Sequence, residues 1–158
     1  MVASSSTAPD ILGSRPSDYA GDVDPKEAVR ILNDVPGAVL VDVRTKPEWM
    51  FVGTVDLASA NKKPVLVEWQ RFPAMDHNPA FKDEVLAALG EAGWQAGAPV
   101  FFLCRSGARS KAAAIAMTSS GMDACYNIAG GFEGDLDTDH HRGRKNGWKA
   151  SGLSWRQG

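Results

Sequence analysis

The chain has 158 residues, 44% of them hydrophobic and 23% charged, a length and balance that suit one globular domain and argue against a multidomain machine. A domain of this size buries roughly 68–70% of the surface of its unfolded chain, so it needs no disulfide or metal staple. The net charge of −2 offers none of the surplus positive charge that binding to a phosphate backbone draws on, and nucleic acid is not an expected partner.

The charge is unevenly placed. All nineteen acids lie at or before Asp139, and the five basic residues Arg142, Arg144, Lys145, Lys149 and Arg156 follow, which reads first as a solvated basic face. Cys104 and Cys125 lie 21 positions apart, with no C-x-x-C pair and no flanking histidines. That spacing argues against a zinc module and a secreted disulfide framework, and the expected compartment is the reducing cytoplasm. The longest apolar run, Ala112 to Met117, has six members, far short of the ~20 needed to cross a bilayer; no membrane is expected as a partner. Met1 to Pro9 is rich in serine and alanine, with no basic residue before Arg15 and no apolar core, so it fails as a secretory signal. The expected organisation is a flexible N-terminal segment over 1–19 and one domain over 20–158.

Asp24-Pro25-Lys26-Glu27 predicts a helix start, with Asp24 as cap, Pro25 in the first turn and Glu27 at capping-box spacing. Ala28, Ile31 and Leu32 then share a face. Pro36-Gly37 breaks that helix, and Ala38 to Val41 is a continuous apolar run, the pattern of a strand covered on both sides. It leads into Asp42-Val43-Arg44 and a turn at Pro47-Glu48-Trp49. Val65 to Trp69 is a second strand candidate, and Asn78-Pro79 opens a helix with Phe81, Val85, Leu86 and Leu89 on one face, ended by Gly90 and Gly93. Pro99 to Leu103 is a buried strand that runs into Cys104-Arg105-Ser106-Gly107-Ala108-Arg109. An alanine-rich helix follows over about Ser110 to Ser120, stopped by Gly121. Ala124 to Ile128 is a last strand, closed by Gly130-Gly131, and Asp135 to Gly147 is a long polar loop. Strands alternating with helices, without a two-residue hairpin signal, predict an α/β fold: a mainly parallel sheet with helices on both faces and ligands at the strands' carboxyl ends.

Cys104 stands where a buried strand stops and a helix begins. Unpaired amides and the positive end of the helix there stabilise a thiolate and any anion beside it. Arg105 and Arg109 add formal charge, and Gly107 lets the backbone curl so that successive amides point inward. Cys104 is therefore the candidate nucleophile.

The loop Cys104 to Ser110, the upstream Val41-Asp42-Val43-Arg44 and the later Gly130-Gly131-Phe132 resemble the rhodanese family, over about residues 20 to 156. The resemblance implies a five-stranded parallel α/β domain whose cysteine takes sulfane sulfur from a donor such as thiosulfate. The sulfur is held as a persulfide and passed to a thiol or cyanide acceptor. It implies no cofactor. The backbone of Arg105, Ser106, Gly107, Ala108 and Arg109 would form the anion cradle, and the guanidinium of Arg105 or Arg109 would hold the donor's sulfonate oxygens. The segment Val52-Gly53-Thr54-Val55-Asp56-Leu57 departs from the family's usual Gly-His-Ile-Pro-Gly-Ala.

Two other readings use the same cysteine. Phosphatases and arsenate reductases place five residues between cysteine and arginine; here Arg109 arrives after four and Ser110 holds the next position, giving a shorter ring suited to sulfur rather than a tetrahedral oxyanion. Leu103 stands where tyrosine phosphatases carry histidine. The other reading is a sulfur-relay module loaded by a protein partner. Asp42 and Arg44, at the exit of a buried strand, are expected to be paired structural supports, because an unpaired buried charge is costly. Cys125 is expected to be a packed thiol, and Trp148 to pack on the core. His140 and His141, after Asp135, Asp137 and Asp139, are read as polar loop composition, so no metal is expected; His77 is a lone loop histidine.

Overall fold

Three strands of four residues, β2 (Val39–Asp42), β7 (Val100–Leu103) and β8 (Cys125–Ile128), are buried at every position, and they form the centre of the molecule. In the computed structural model, which describes residues 18–157, they belong to a five-stranded sheet in the order β1-β8-β7-β2-β4. Every pairing in that sheet is parallel. The edges are β1 (Gly21–Val23) and β4 (Val65–Leu66). Most of the expected flexible segment 1–19 lies outside the described residues, but Tyr19 is buried and donates its hydroxyl to Asp22 Oδ1.

Alternation along the strands sends side chains into two layers, as a pleated sheet requires. Leu40, Phe101, Leu103, Tyr126 and Ile128 face one layer with Ala28, Ile31 and Leu32 of helix α1 (Pro25–Asp34). Trp148 of the short helix α4 (Gly147–Ala150) completes that layer. Val39, Val41, Val100, Phe102 and Cys125 face the other, with Phe81, Val85 and Leu89 of α2 (Phe81–Glu91) and Ala113, Ala114 and Met117 of α3 (Ala108–Ser119). Helices thus cover both faces of a parallel sheet. Small residues on α3 allow close approach to the strands.

Local signals acted largely as the sequence predicts. Asp24 caps α1 through Lys26 N, with Pro25 in its first turn, although Glu27 pairs with Arg30. Asn78 Oδ1 accepts from Ala80 N ahead of α2. Leu86, expected on the buried face, is 41% exposed: α2 packs on the sheet through the narrower stripe Phe81, Val85 and Leu89. The strand expected over Val65 to Trp69 pairs regularly only at Val65–Leu66. Beyond it, Val67 N and Trp69 N still donate to Asp42 O and Val43 O, so the chain follows β2 without forming a regular ladder.

Several short elements lie outside the main sheet. Glu48–Val52 forms a π-helical turn and Ala58–Ala60 a 3-10 turn. β3 (Thr54–Val55) pairs antiparallel with β9 (Trp155–Arg156), and β5 (Gln70–Arg71) with β6 (Asp76–His77). None of the described helices is long and apolar enough to cross a membrane.

Candidate active site

At the carboxyl end of β7 the chain leaves the sheet at Cys104 and enters α3 at Ala108. Gly107 bridges the two with φ +124°, a conformation L side chains rarely adopt. Its N–H donates to Cys104 Sγ at 3.1 Å. The loop's outer carbonyls are held by the segment after β8: Phe132 N donates to Cys104 O at 2.7 Å, and Glu133 N and Gly134 N both donate to Arg105 O. Gly131 makes that approach feasible, since a Cβ there would meet Cys104 O and the Arg105 carbonyl at 2.6 Å. Gly131 therefore does more than follow a strand; it lets a second backbone brace the cysteine loop, while Gly130 lies against Gly147.

The thiol of Cys104 is buried, at 1% exposure, with its apolar side in the layer that holds α2 and α3. Its polar surroundings are the Gly107 amide and Ser110, whose Oγ lies 3.2 Å from the sulfur. The same Oγ lies 3.2 Å from Gly107 O and 2.5 Å from Asn127 Oδ1. Asn127 Nδ2 in turn donates to Asp22 Oδ1. A chain of polar contacts thus runs from the sulfur through α3 and β8 to β1.

The two loop arginines differ. Arg105 is exposed and has no side-chain partner among the described residues. Arg109 forks onto Glu48, Nη1 to Oε1 at 2.8 Å and Nη2 to Oε2 at 3.0 Å, in a pair whose side chains are 18% and 19% exposed. Thr45 donates its N–H and hydroxyl to the same carboxylate. Burial pushes the Glu48 carboxyl up, but Arg109 and Thr45 outweigh it and bring it down to about 2. Burial likewise lowers Arg109, and Glu48 reverses this to a net rise, helped by the charges of Cys104 and Asp42.

Asp42 and Arg44 form a fully buried pair, Arg44 Nη2 to Asp42 Oδ2 at 2.7 Å. Arg44 also donates from Nη2 to Gly53 O and lies over the Phe132 ring, 4.5 Å from its centroid. Its Nη1 is buried without a partner among the described residues. Through Phe132 the pair stands behind the strut that holds Cys104 O.

Sequence reading missed Glu48, Ser110 and Asn127. Asn127 did carry a signal, an amide in an otherwise apolar buried strand, which must find partners. Glu48 carried none, because the π-helical turn that aims it at Arg109 is set by tertiary contacts. Beside it Met50 and Phe51 are exposed, at 63% and 70%, and border a cleft of about 790 Å³ with Lys46, Trp49 and Phe72.

Cys125 is buried in β8, and burial pushes its thiol up to about 12. Trp148 is buried and donates Nε1 to Ser154 O. In the polar loop, Asp137, Asp139 and His141 bring potential ligand atoms within 4.8 Å. Asp137 Oδ1 already accepts the N–H groups of Asp139 and His141, and Oδ2 faces Arg144 at 3.9 Å. His77 packs edge-on against Trp69.

Known proteins resemble this chain in sequence or in fold. The chain is 40% identical over 125 residues to the uncharacterized protein RC0915 of Rickettsia conorii, covering 79% of this chain and 86% of the relative. A Rickettsia montanensis protein, described as an uncharacterized protein in the dnaA 5' region, matches to the same extent. The crystal structure of Rv0390 from M. tuberculosis superposes with a TM-score of 0.77 at 48% identity, covering 89% of this chain and 99% of that one. The solution structure of the polysulfide-sulfur transferase homodimer from Wolinella succinogenes is similar in fold alone, with a TM-score of 0.54 at 20% identity over 99% of this chain and 83% of the other. Residues 24–137 match the family model of the rhodanese-like domain, and with the five-stranded parallel sheet carrying Cys104 at its carboxyl edge, the chain belongs to the rhodanese-like family.

Proposed function

We propose that this chain is a cytoplasmic sulfurtransferase that moves sulfane sulfur through a persulfide on Cys104. The observation that carries the reading is the closed loop around that sulfur. The Cys104 and Arg105 carbonyls are turned outward onto the residues 132 to 134, and Gly107 N–H is turned inward onto Sγ. An inward amide with the neighbouring carbonyls turned away favours an anionic sulfur over a neutral one. The Cys104 thiolate attacks the outer sulfur of thiosulfate; the S–S bond of the donor breaks, and sulfite leaves with the electron pair. The outer sulfur of the resulting Cys104 persulfide would stand about 2 Å from Sγ. Cyanide or a thiolate then attacks it, and the Cys104 thiolate departs.

Arg105 is the guanidinium free to meet the donor's sulfonate oxygens, since Glu48 occupies both prongs of Arg109. The same pairing weighs against a phosphatase or arsenate reductase, which needs the loop arginine for the oxyanion. A relay loaded by a protein partner is favoured by one observation, the open side chains of Met50 and Phe51 beside Glu48.

Incubation with thiosulfate followed by intact-mass measurement tests the assignment. The expected result is a gain of one sulfur atom on the wild type and none on Cys104→Ser, with the gain removed by cyanide. An unchanged wild-type mass with thiosulfate, alongside loading from a cysteine desulfurase, would select the relay; no loading from either, or equal gain on the variant, would end the proposal.

A further inference from the structure

We infer that Asn127 is a positioning residue that competes with the Cys104 sulfur for the single proton of the Ser110 hydroxyl, and so sets how reactive that sulfur is. The inference rests on reading Cys104 as the nucleophile. The donors and acceptors around Ser110 do not match in number. Asp22 accepts at Oδ1 from Asn127 Nδ2 at 3.0 Å and from the Tyr19 hydroxyl at 2.7 Å. Burial, and then Asp22, push Tyr19 up to about 12, so its hydroxyl remains a donor. A carboxylate that only accepts fixes the Asn127 amide with its nitrogen toward β1 and its oxygen toward α3. An amide oxygen has no proton to give. At 2.5 Å from Asn127 Oδ1, Ser110 must therefore be the donor of that bond.

Ser110 has one hydroxyl proton and three acceptors in reach: Asn127 Oδ1, Cys104 Sγ and Gly107 O. While the proton points at Asn127, Ser110 presents lone pairs to the sulfur, an arrangement that suits a thiol donating to Ser110. A thiolate or persulfide needs the opposite polarity, with the hydroxyl turned onto sulfur. The Gly107 amide supports the anion in either case. Asn127 thus holds the rotor in the setting for protonated sulfur, and the hydroxyl swings when the sulfur becomes anionic.

Alkylation of Cys104 by iodoacetamide at pH 7 reads this directly. The sulfur forms a C–S bond, iodide leaves with the electron pair of the C–I bond, and the thiol proton goes to buffer. Peptide mapping assigns the label to Cys104 rather than Cys125. Asn127→Leu frees the Ser110 proton for the sulfur and is expected to raise the rate about fivefold, the worth of one net hydrogen bond. Ser110→Ala removes a donor that Asn127 already claims, so it lowers the rate by a smaller factor, and Ser110→Thr restores it. In a Ser110→Ala background, Asn127→Leu has no effect. Asp22→Ala keeps Asn127 but releases its nitrogen, so the amide can turn and donate to Ser110; it moves the rate upward as well, and serves should Asn127→Leu not fold. A rate that falls in both variants, or an Asn127 effect that persists without the Ser110 hydroxyl, overturns the inference. Coupling seen in a protein that never takes sulfur from any donor would leave it standing and defeat the sulfur-transfer reading instead.

Discussion

Two arginine–carboxylate pairs flank the cysteine loop, and they are built for different ends. Asp42 and Arg44 sit two residues apart at the exit of β2, with no exposed surface. Glu48 and Arg109 are 61 residues apart in sequence and keep nearly a fifth of their side-chain surface in water. The first pair satisfies its own strand end: Asp42 Oδ1 also accepts Arg44 N, and Arg44 reaches Gly53 O. The second ties the π-helical turn to the first turn of α3 and neutralises a charge beside the sulfur. Burial makes one pair a matter of folding. Partial exposure leaves the other free to matter for the site.

The largest effect is expected from breaking the buried pair. Arg44→Met leaves Asp42 charged in a dry interior and should cost about 3–5 kcal/mol, read as a lower urea midpoint. The double variant Asp42→Leu/Arg44→Met removes both charges and should recover part of that loss. Full recovery is not expected, because Arg44 N and Gly53 O lose their side-chain partners. A single variant as stable as the wild type would mean that the interior around Asp42 is wetter than its geometry implies.

What could be read in advance follows the same division between local and distant causes. β2, β7 and β8 were legible because short, mostly apolar runs between breakers have few other uses, and α1 because Asp24-Pro25 is a local start signal. The cysteine loop was legible because strand end, glycine and arginines fall within seven residues, Leu103 to Arg109. β1 was not: three residues including a glycine acquire strand character only by pairing with β8, more than a hundred positions away. Glu48 and Asn127 were hidden for the same reason, since each meets the loop only after the chain has folded. Arg109 could be placed at the site, but its partner, which decides whether its charge is free, could not.

The second pair is expected to show in acid. Glu48 titrates near 2 in the folded protein against 4.5 for an unperturbed carboxyl. A lowered folded value means that the stabilisation is complete above about pH 4.5 and is lost as pH falls toward 2. Screened by solvent, it should amount to about 1–2 kcal/mol. Urea midpoints of wild type and Glu48→Gln, taken from pH 7 downward, should differ most at pH 7 and converge only as pH approaches 2. A difference that persists at low pH would assign the stabilisation to packing and to the Thr45 hydrogen bonds, which glutamine keeps in part.

The smallest effect belongs to the shortest of these ion pairs. Arg30 Nη2 lies 2.5 Å from Glu27 Oε2, and Nη1 lies 3.2 Å from Asp34. By distance alone this cluster on α1 would outrank both pairs at the site. Its side chains are open to water, however, with Arg30 59% exposed, and water solvates the separated ions nearly as well as they solvate each other. Arg30→Ala is therefore expected to leave the thermal midpoint within error of the wild type at moderate salt, where exposed charges are further screened. A clear loss that salt abolishes would show that exposure is a poorer guide to the worth of a charge pair here than separation, and would narrow the contrast between the buried and bridging pairs to one of degree.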